Sequence, residues 1–399
     1  MSLLLLLLFV LSACTRSGAA NGGTVFRQGS ANSLPSNNAT PTANVTATAL
    51  SSTPVVTPIP QSQGVQPCPV AVAAPAYWDA IIPTQTGTDK VESVACASLT
   101  GNSTLQALVK VRAEGLGANL DVYVYNKITD PDPQQVFRLQ NLLHGDARIS
   151  GYNTLLTAEV DPASRINNGK DDAAQTVDLF REFAWSDGAG TLVPVSFPGI
   201  FPDLTRYQAE LDQGDVNQGH QPWKLSAGMV ANALAAGMLA WPARAPATIV
   251  SGGGQHDMDA IVNVKNPGAG DATIQVSMSR LEGKLNGIWE VAAVGSAGMT
   301  ITSPKDRDLL NSPLTVTGMG SANKDKIGTV VVLDHLYDDI GHTDATGVTG
   351  DSGTTTFSTN VSYTSSFKIG AQEGIVALYA YSATGNTITG AVMLKELLM

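Results

Sequence analysis

A chain of 399 residues, 43% hydrophobic and only 14% charged, is too long for one ordinary domain and too apolar to be disordered throughout, so two or three folded units are expected. Its 23 basic and 34 acidic residues give a formal charge of −11 with no Lys/Arg cluster, which removes nucleic-acid binding from the leading functions. Beyond the extreme N-terminus no apolar run approaches the roughly 18 to 20 residues a helix needs to cross a bilayer.

Residues Ser2 to Ala13 form an apolar stretch too short to span a membrane, and it ends in Leu11-Ser12-Ala13-Cys14. Such a segment is a targeting signal and not part of the fold. The last four residues resemble the lipobox of bacterial lipoproteins, and the resemblance implies that Cys14 becomes a lipid-bearing N-terminus that anchors residues 15 onward to the membrane. Met1-Ser2 supplies no Lys or Arg ahead of the apolar stretch, so either translation starts upstream or the signal is atypical. Attached acyl chains gain about 0.8 kcal/mol per buried methylene, and two chains suffice for stable anchoring. With Cys14 assigned to lipid, Cys68 and Cys96 remain, and in an exported chain they are expected to pair. Such a bridge is worth about 3 kcal/mol in the chain-entropy description.

From Thr15 to Pro67 the chain is Ser, Thr, Ala, Asn, Gly, Pro and Gln with almost no charge and no hydrophobic period, so a disordered tether with a reach of about 40 Å is expected. Its two Asn-X-Thr sequons are idle in a bacterial host.

Strand signals open residues 68–215. In Leu120–Ile128, Leu120, Val122, Val124 and Ile128 alternate with Asp121, Tyr123, Tyr125 and Lys127. Tyr123 and Tyr125 therefore form either an exposed binding strip or, beneath a second layer, part of the core. Shorter alternations at Ala107/Val109/Val111, Leu156/Ala158/Val160 and Val193/Val195/Phe197 predict an antiparallel, β-dominated unit. Residues 173–185 fit helix and strand equally. Phe197–Pro202 reads as an apolar connector lying on the core, followed by Asp203 as the cap of a short helix carrying Leu204, Tyr207 and Leu211.

In residues 216–298, Ser226 caps and Pro242 ends a helix whose Val230, Leu234, Met238 and Trp241 share a face. Strands are expected at Ile261–Val264, Ala272–Leu281 and Ile288–Val294. A helix laid on an antiparallel sheet resembles the cystatin-like or nuclear-transport-factor-like α+β fold, which implies a pocket on the concave face of the sheet or an inert packing module.

Residues 299–399 contain Ile301-Thr302-Ser303-Pro304, Ser312-Pro313-Leu314-Thr315-Val316-Thr317-Gly318, Val330–Leu333, the stretch from Gly353 to Thr356-Phe357-Ser358, and Gly374–Ser382. This stretch resembles the immunoglobulin-like domain of bacterial spore germination proteins, which implies a β-sandwich used as a spacer or protein-contact module. The strand spacing alone also predicts a sandwich, with Leu314 and Val316 inward. The fold class expected overall is thus α+β followed by all-β.

Chemistry-bearing motifs are scarce. Asp334–Asp344 holds four acids and two histidines, enough for a divalent ion but equally typical of turns. His144, His220, His256, His335 and His342 all sit in polar contexts typical of surface loops. Neither a G-x-S-x-G elbow, an H-E-x-x-H helix nor a Walker loop occurs. The expectation is a non-enzymatic envelope protein with no catalytic residues, metal or cofactor, contacting the membrane through Cys14 and another envelope protein or a cell-wall polymer. The alternative is an extracytoplasmic lipoprotein that binds or senses a small ligand in its α+β part.

Overall fold

The computed structural model describes residues 64–82, 89–113, 119–268, 272–322, 325–350, 353–385 and 387–399. The expectations for the leader, Cys14 and the tether up to residue 63 lie outside the described residues. The architecture is β-rich, with antiparallel sheets and small helices in mid-chain.

A short helix α1 (Pro75–Asp79) precedes a meander of β1 (Lys90–Ala97), β2 (Gln106–Arg112), β3 (Leu120–Asn126) and β4 (Gln134–Leu142). A second meander holds β5 (Asp146–Ile149), β6 (Leu155–Glu159), β7 (Leu179–Ser186) and β8 (Thr191–Val195). Leu108, Leu120, Val122 and Val124 of the first sheet meet Ala147, Ile149, Leu155, Phe183 and Leu192 of the second in one core. Residues 173–185 resolve as a 3-10 turn at Asp172–Ala174 and then strand β7, because Phe183 packs into this core. Alternation along β3 holds from Leu120 to Tyr125. Ile128 breaks it: Lys127 has φ 52°, the strand ends at Asn126, and Ile128 packs on the tyrosine side.

Helix α2 (Arg206–Asn217) is capped by Thr205, whose side chain accepts from the Gln208 N–H, and not by Asp203. Asp203 is buried and holds Lys224 instead. Helix α3 (Ala227–Met238) begins at Ser226 as its cap, Oγ accepting from the Met229 N–H, and Ala240 turns left-handed (φ 53°) before Pro242. Val230, Ala231, Leu234 and Ala235 of α3 rest on β10 (Asp259–Lys265), β11 (Thr273–Arg280) and β12 (Trp289–Ser296), with β9 (Ala247–Gly252) on the outer edge. Ile274, Val276 and Met278 point inward, as the alternation requires. β9 has no counterpart among the sequence expectations because its residues are mostly exposed, so no apolar period marks it.

The remaining strands are β13 (Thr300–Ser303), β14 (Leu309–Leu310), β15 (Leu314–Gly320), β16 (Lys326–Leu333), β17 (Asp339–Thr349), β18 (Thr355–Val361), β19 (Gln372–Tyr381) and β20 (Ile388–Leu398). One ladder runs β13-β15-β18-β17-β16-β19-β20-β12-β11-β10-β9, with the short β14 parallel to β20 off that path. The expected Asp/His-rich loop at 334–344 is shorter than its composition suggests, since β17 starts at Asp339.

Strands β16, β19 and β20 are buried on both faces. Val331, Leu333, Ile375, Ala377, Tyr379, Ala391 and Met393 join the core under α3. Val330, Val332, Val376, Leu378, Val392 and Leu398 face a second core containing Val316, Phe357 and Val361. Burial on two sides explains why Val330–Leu333 and Ile375–Tyr379 read as unbroken apolar runs and not as alternations. Gly328 belongs to this close packing, because a Cβ there would collide with the Tyr379 carbonyl. Residues 200 to 393 thus contribute to a single core that crosses position 298.

Candidate functional site

Cys68 and Cys96 form a disulfide, with Cα atoms 5.3 Å apart. Cys96 lies at the end of β1, and Gln66 bridges to it through a backbone hydrogen bond of 2.7 Å, so the bridge ties the chain leading into the folded part to the first sheet. Tyr123 and Tyr125 are each only 4% exposed: Trp78, Val72 and Ile82 cover their face of β3. The Trp78 and Tyr125 rings lie 4.9 Å apart. Of the two sequence alternatives, the covered one is observed, and these side chains form core.

His335 departs from the surface-loop expectation. It is 5% exposed, with Nδ1 against Gln372 Oε1 at 2.6 Å and Nε2 3.7 Å from Asp178. Burial opposes its charge, but Asp178 and Asp334 outweigh it and raise the pKa above the ordinary histidine value. Asp334 spends its carboxylate on the turn, accepting from the Leu336 and Asp338 N–H groups at 2.8 and 2.9 Å. His342 pairs locally with Asp339. Among the described residues, no group of three or more His, Cys, Asp or Glu side chains is placed to hold a metal ion.

Two arrangements escaped the sequence reading. The first is a polar cleft of about 440 Å³ between α2, the Gly151 turn and the β11–β12 connector, lined by Glu210, Gln213, Asn217, Glu282 and Lys284 among others. Glu210 accepts from the Gly151 N–H at 2.9 Å and lies 3.4 Å from Arg148. Glu282 sits at φ 57° and packs its carboxylate so closely on Gly151 that a Cβ there would clash with it. Two acids therefore converge on one glycine. Burial pushes the Glu210 pKa up to about 7; the Gly151 N–H and Arg148 offset part of that rise, and Glu282 adds to it. At neutral pH Glu210 carries a proton for part of the time.

The second arrangement is a belt of buried charge where residues 196–224 meet β12, β19 and β20. Glu373 accepts from Ser196 Oγ and the Phe197 N–H, both at 2.8 Å, and lies 3.4 Å from Lys395 Nζ, which donates to the Gly199 carbonyl at 3.0 Å and also to that of Leu204. Burial raises the Glu373 pKa and lowers that of Lys395, against their mutual attraction. Nearby, Glu182 pairs with Arg206 at 2.7 Å, and the Arg206 guanidinium lies 4.1 Å from the Tyr152 ring centre. Lys224 Nζ contacts Asp212 and lies 3.1 Å from Asp203 Oδ2. The Asp203 N–H donates to Glu290 at 3.4 Å. Burial, then Asp203, raises the Glu290 pKa well above the usual carboxylate value. The signal for these pairs in the sequence is slight: charged residues set in apolar runs, such as Glu373 before Gly374-Ile375-Val376 and the Lys395-Glu396 pair within Met393-Leu394-Lys395-Glu396-Leu397.

The chain matches no protein-family model, and comparison with curated proteins finds no significant similarity.

Proposed function

We propose that the chain is a non-enzymatic, lipid-anchored protein of the cell envelope, held outside the membrane on its tether through Cys14 and acting as a contact or scaffold module. The observation that carries this reading is the disulfide at the junction between residues 64–68 and the first sheet. A disulfide indicates an oxidising, extracytoplasmic compartment, and this one reinforces the point at which a tethered body is held. No helix among the described residues is long and apolar enough to cross a membrane. Two further features support a display role. The charged groups of the belt are engaged in joining chain segments, and the two-sided burial of β16, β19 and β20 builds a stiff body around them. We read residues 299–399 as immunoglobulin-like, supported by their second core, and residues 216–298 as cystatin-like, supported by α3 across the sheet.

Fractionation tests the anchor. The wild-type chain should sediment with membranes and Cys14→Ser should be released; a wild-type chain already free of membranes would sink the reading. Cross-linking the full-length chain on intact cells should recover a defined envelope component.

A second reading, ligand binding by the α+β part, is favoured by the cleft at Glu210 and Glu282. A small molecule retained through purification and released by Glu282→Ala would move weight to it.

A further inference from the structure

The group around Lys224 combines an amine, two carboxylates in contact with it and a third carboxyl beside Asp203; all but the partly exposed Asp212 are buried. Lys224 is 3% exposed, Asp203 7% and Glu290 3%. Each comes from a different element: Lys224 from the 3-10 turn Pro222–Leu225, Asp203 from the connector before α2, and Glu290 from β12. Lys224 Nζ is 3.1 Å from Asp203 Oδ2 and touches Asp212 of α2, while the Trp223 ring centre lies 5.7 Å from the same nitrogen. Tyr337 closes another side, its hydroxyl donating to the Ile200 carbonyl at 2.9 Å. We propose that Lys224 and Asp203 condense within the folded protein to an isopeptide bond, with Glu290 and Asp212 carrying the protons.

The step balances without an external reagent. The Lys224 ammonium gives one proton to Asp212, and Glu290 gives its proton to an oxygen of Asp203. The free Nζ then bonds to Cγ of Asp203, and the excess nitrogen proton returns to Glu290. The Cγ–O bond breaks, and that oxygen leaves as water with the proton held on Asp212. One C–N bond forms, one C–O bond breaks, one water is released, and nothing is oxidised or reduced.

Three physical terms drive the reaction forward. Holding amine and carboxyl in contact removes the entropic cost of a bimolecular condensation. Burial of Lys224, Asp203 and Glu290 limits the access of the water that would reverse it. A buried ion pair, costly to desolvate, becomes a neutral amide. Burial, the first cause in each case, raises the pKa of both Asp203 and Glu290 and so favours the protonated carboxyl that the leaving oxygen needs. The product would link the two sides of α2, fastening the connector that carries Gly199 and Leu204 against β20.

Peptide mapping of the full-length protein, with the Cys68–Cys96 bridge reduced, tests this directly. The peptides containing Asp203 and Lys224 should appear as one branched species, lighter by a single water than their sum, with fragment ions placing the bond between those residues. Lys224→Arg and Asp203→Ala should yield only linear peptides. Glu290→Gln keeps both reacting groups and should lower the linked fraction at early times by roughly a hundredfold, the loss typical for a missing proton donor. The wild-type protein itself decides the matter whatever the variants do. Linear peptides alone, from wild-type protein that melts cooperatively after long incubation, would overturn the proposal, as would a bond to Asp212.

Discussion

Glu210 and Glu396 carry the clearest consequences of single buried groups. A carboxyl whose folded pKa lies above its unfolded value binds more protons when folded, so its stabilising contribution is complete below the unfolded pKa and fades as pH rises through the folded one. For Glu210 that window runs from the ordinary carboxylate range to about 7. The wild-type Tm should fall as pH rises from 5 to 8, and Glu210→Gln, which can still accept from Gly151, should fall less steeply; parallel Tm curves would show that Glu210 does not titrate in this range. Burial, with Asp306 and Asp308 adding to it, raises the Glu396 pKa to about 9. Glu396→Gln should therefore stabilise the protein at pH 8, by on the order of 4 kcal/mol, and much less at pH 5, as denaturant melts at the two values would show. Little at this scale was legible in the sequence. A lone Glu or His in a polar stretch carries no mark of what will cover it, which is why His335 reads as a surface residue and Asp203 as a helix cap.

Elements were easier to read where one face alone is buried. Helix α3 follows from the spacing of Val230 and Leu234 behind Ser226, and β11 from Ile274, Val276 and Met278, because local period and burial agree there. β9 gives no such signal: it takes its place by pairing with β10 and not by burying side chains. The cap of α2 moved from Asp203 to Thr205 because Lys224, distant in sequence, claims the aspartate. The Cys68–Cys96 staple is also an element-scale feature, since it fixes residues 66–68 and the covering layer of Val72, Trp78 and Ile82 on the first sheet. Cys96→Ser should cost about 2 to 4 kcal/mol. Proteolysis should then begin ahead of β1, and cleavage first elsewhere would show that the layer holds without the bridge.

At the scale of the whole molecule, part of the strand inventory was readable but its order was not, because the pairing of β12 with β20 through Val294 and Met393 leaves no local trace. Removing everything after Ala297 would strip Val331, Leu333, Ile375, Ala377, Tyr379, Ala391 and Met393 from the core beneath α3. Such a truncated chain should lack a cooperative melt, whereas the longer chain should unfold residues 200–393 in one transition by calorimetry; an independently folded truncation would refute the shared core. The placement of β20 also bears on when the fold can form. It runs between β19 and β12, so the core beneath α3 cannot close until β20 has emerged as well. A nascent chain of this design holds that core open through most of its synthesis and acquires its resistance to unfolding only with its last strands.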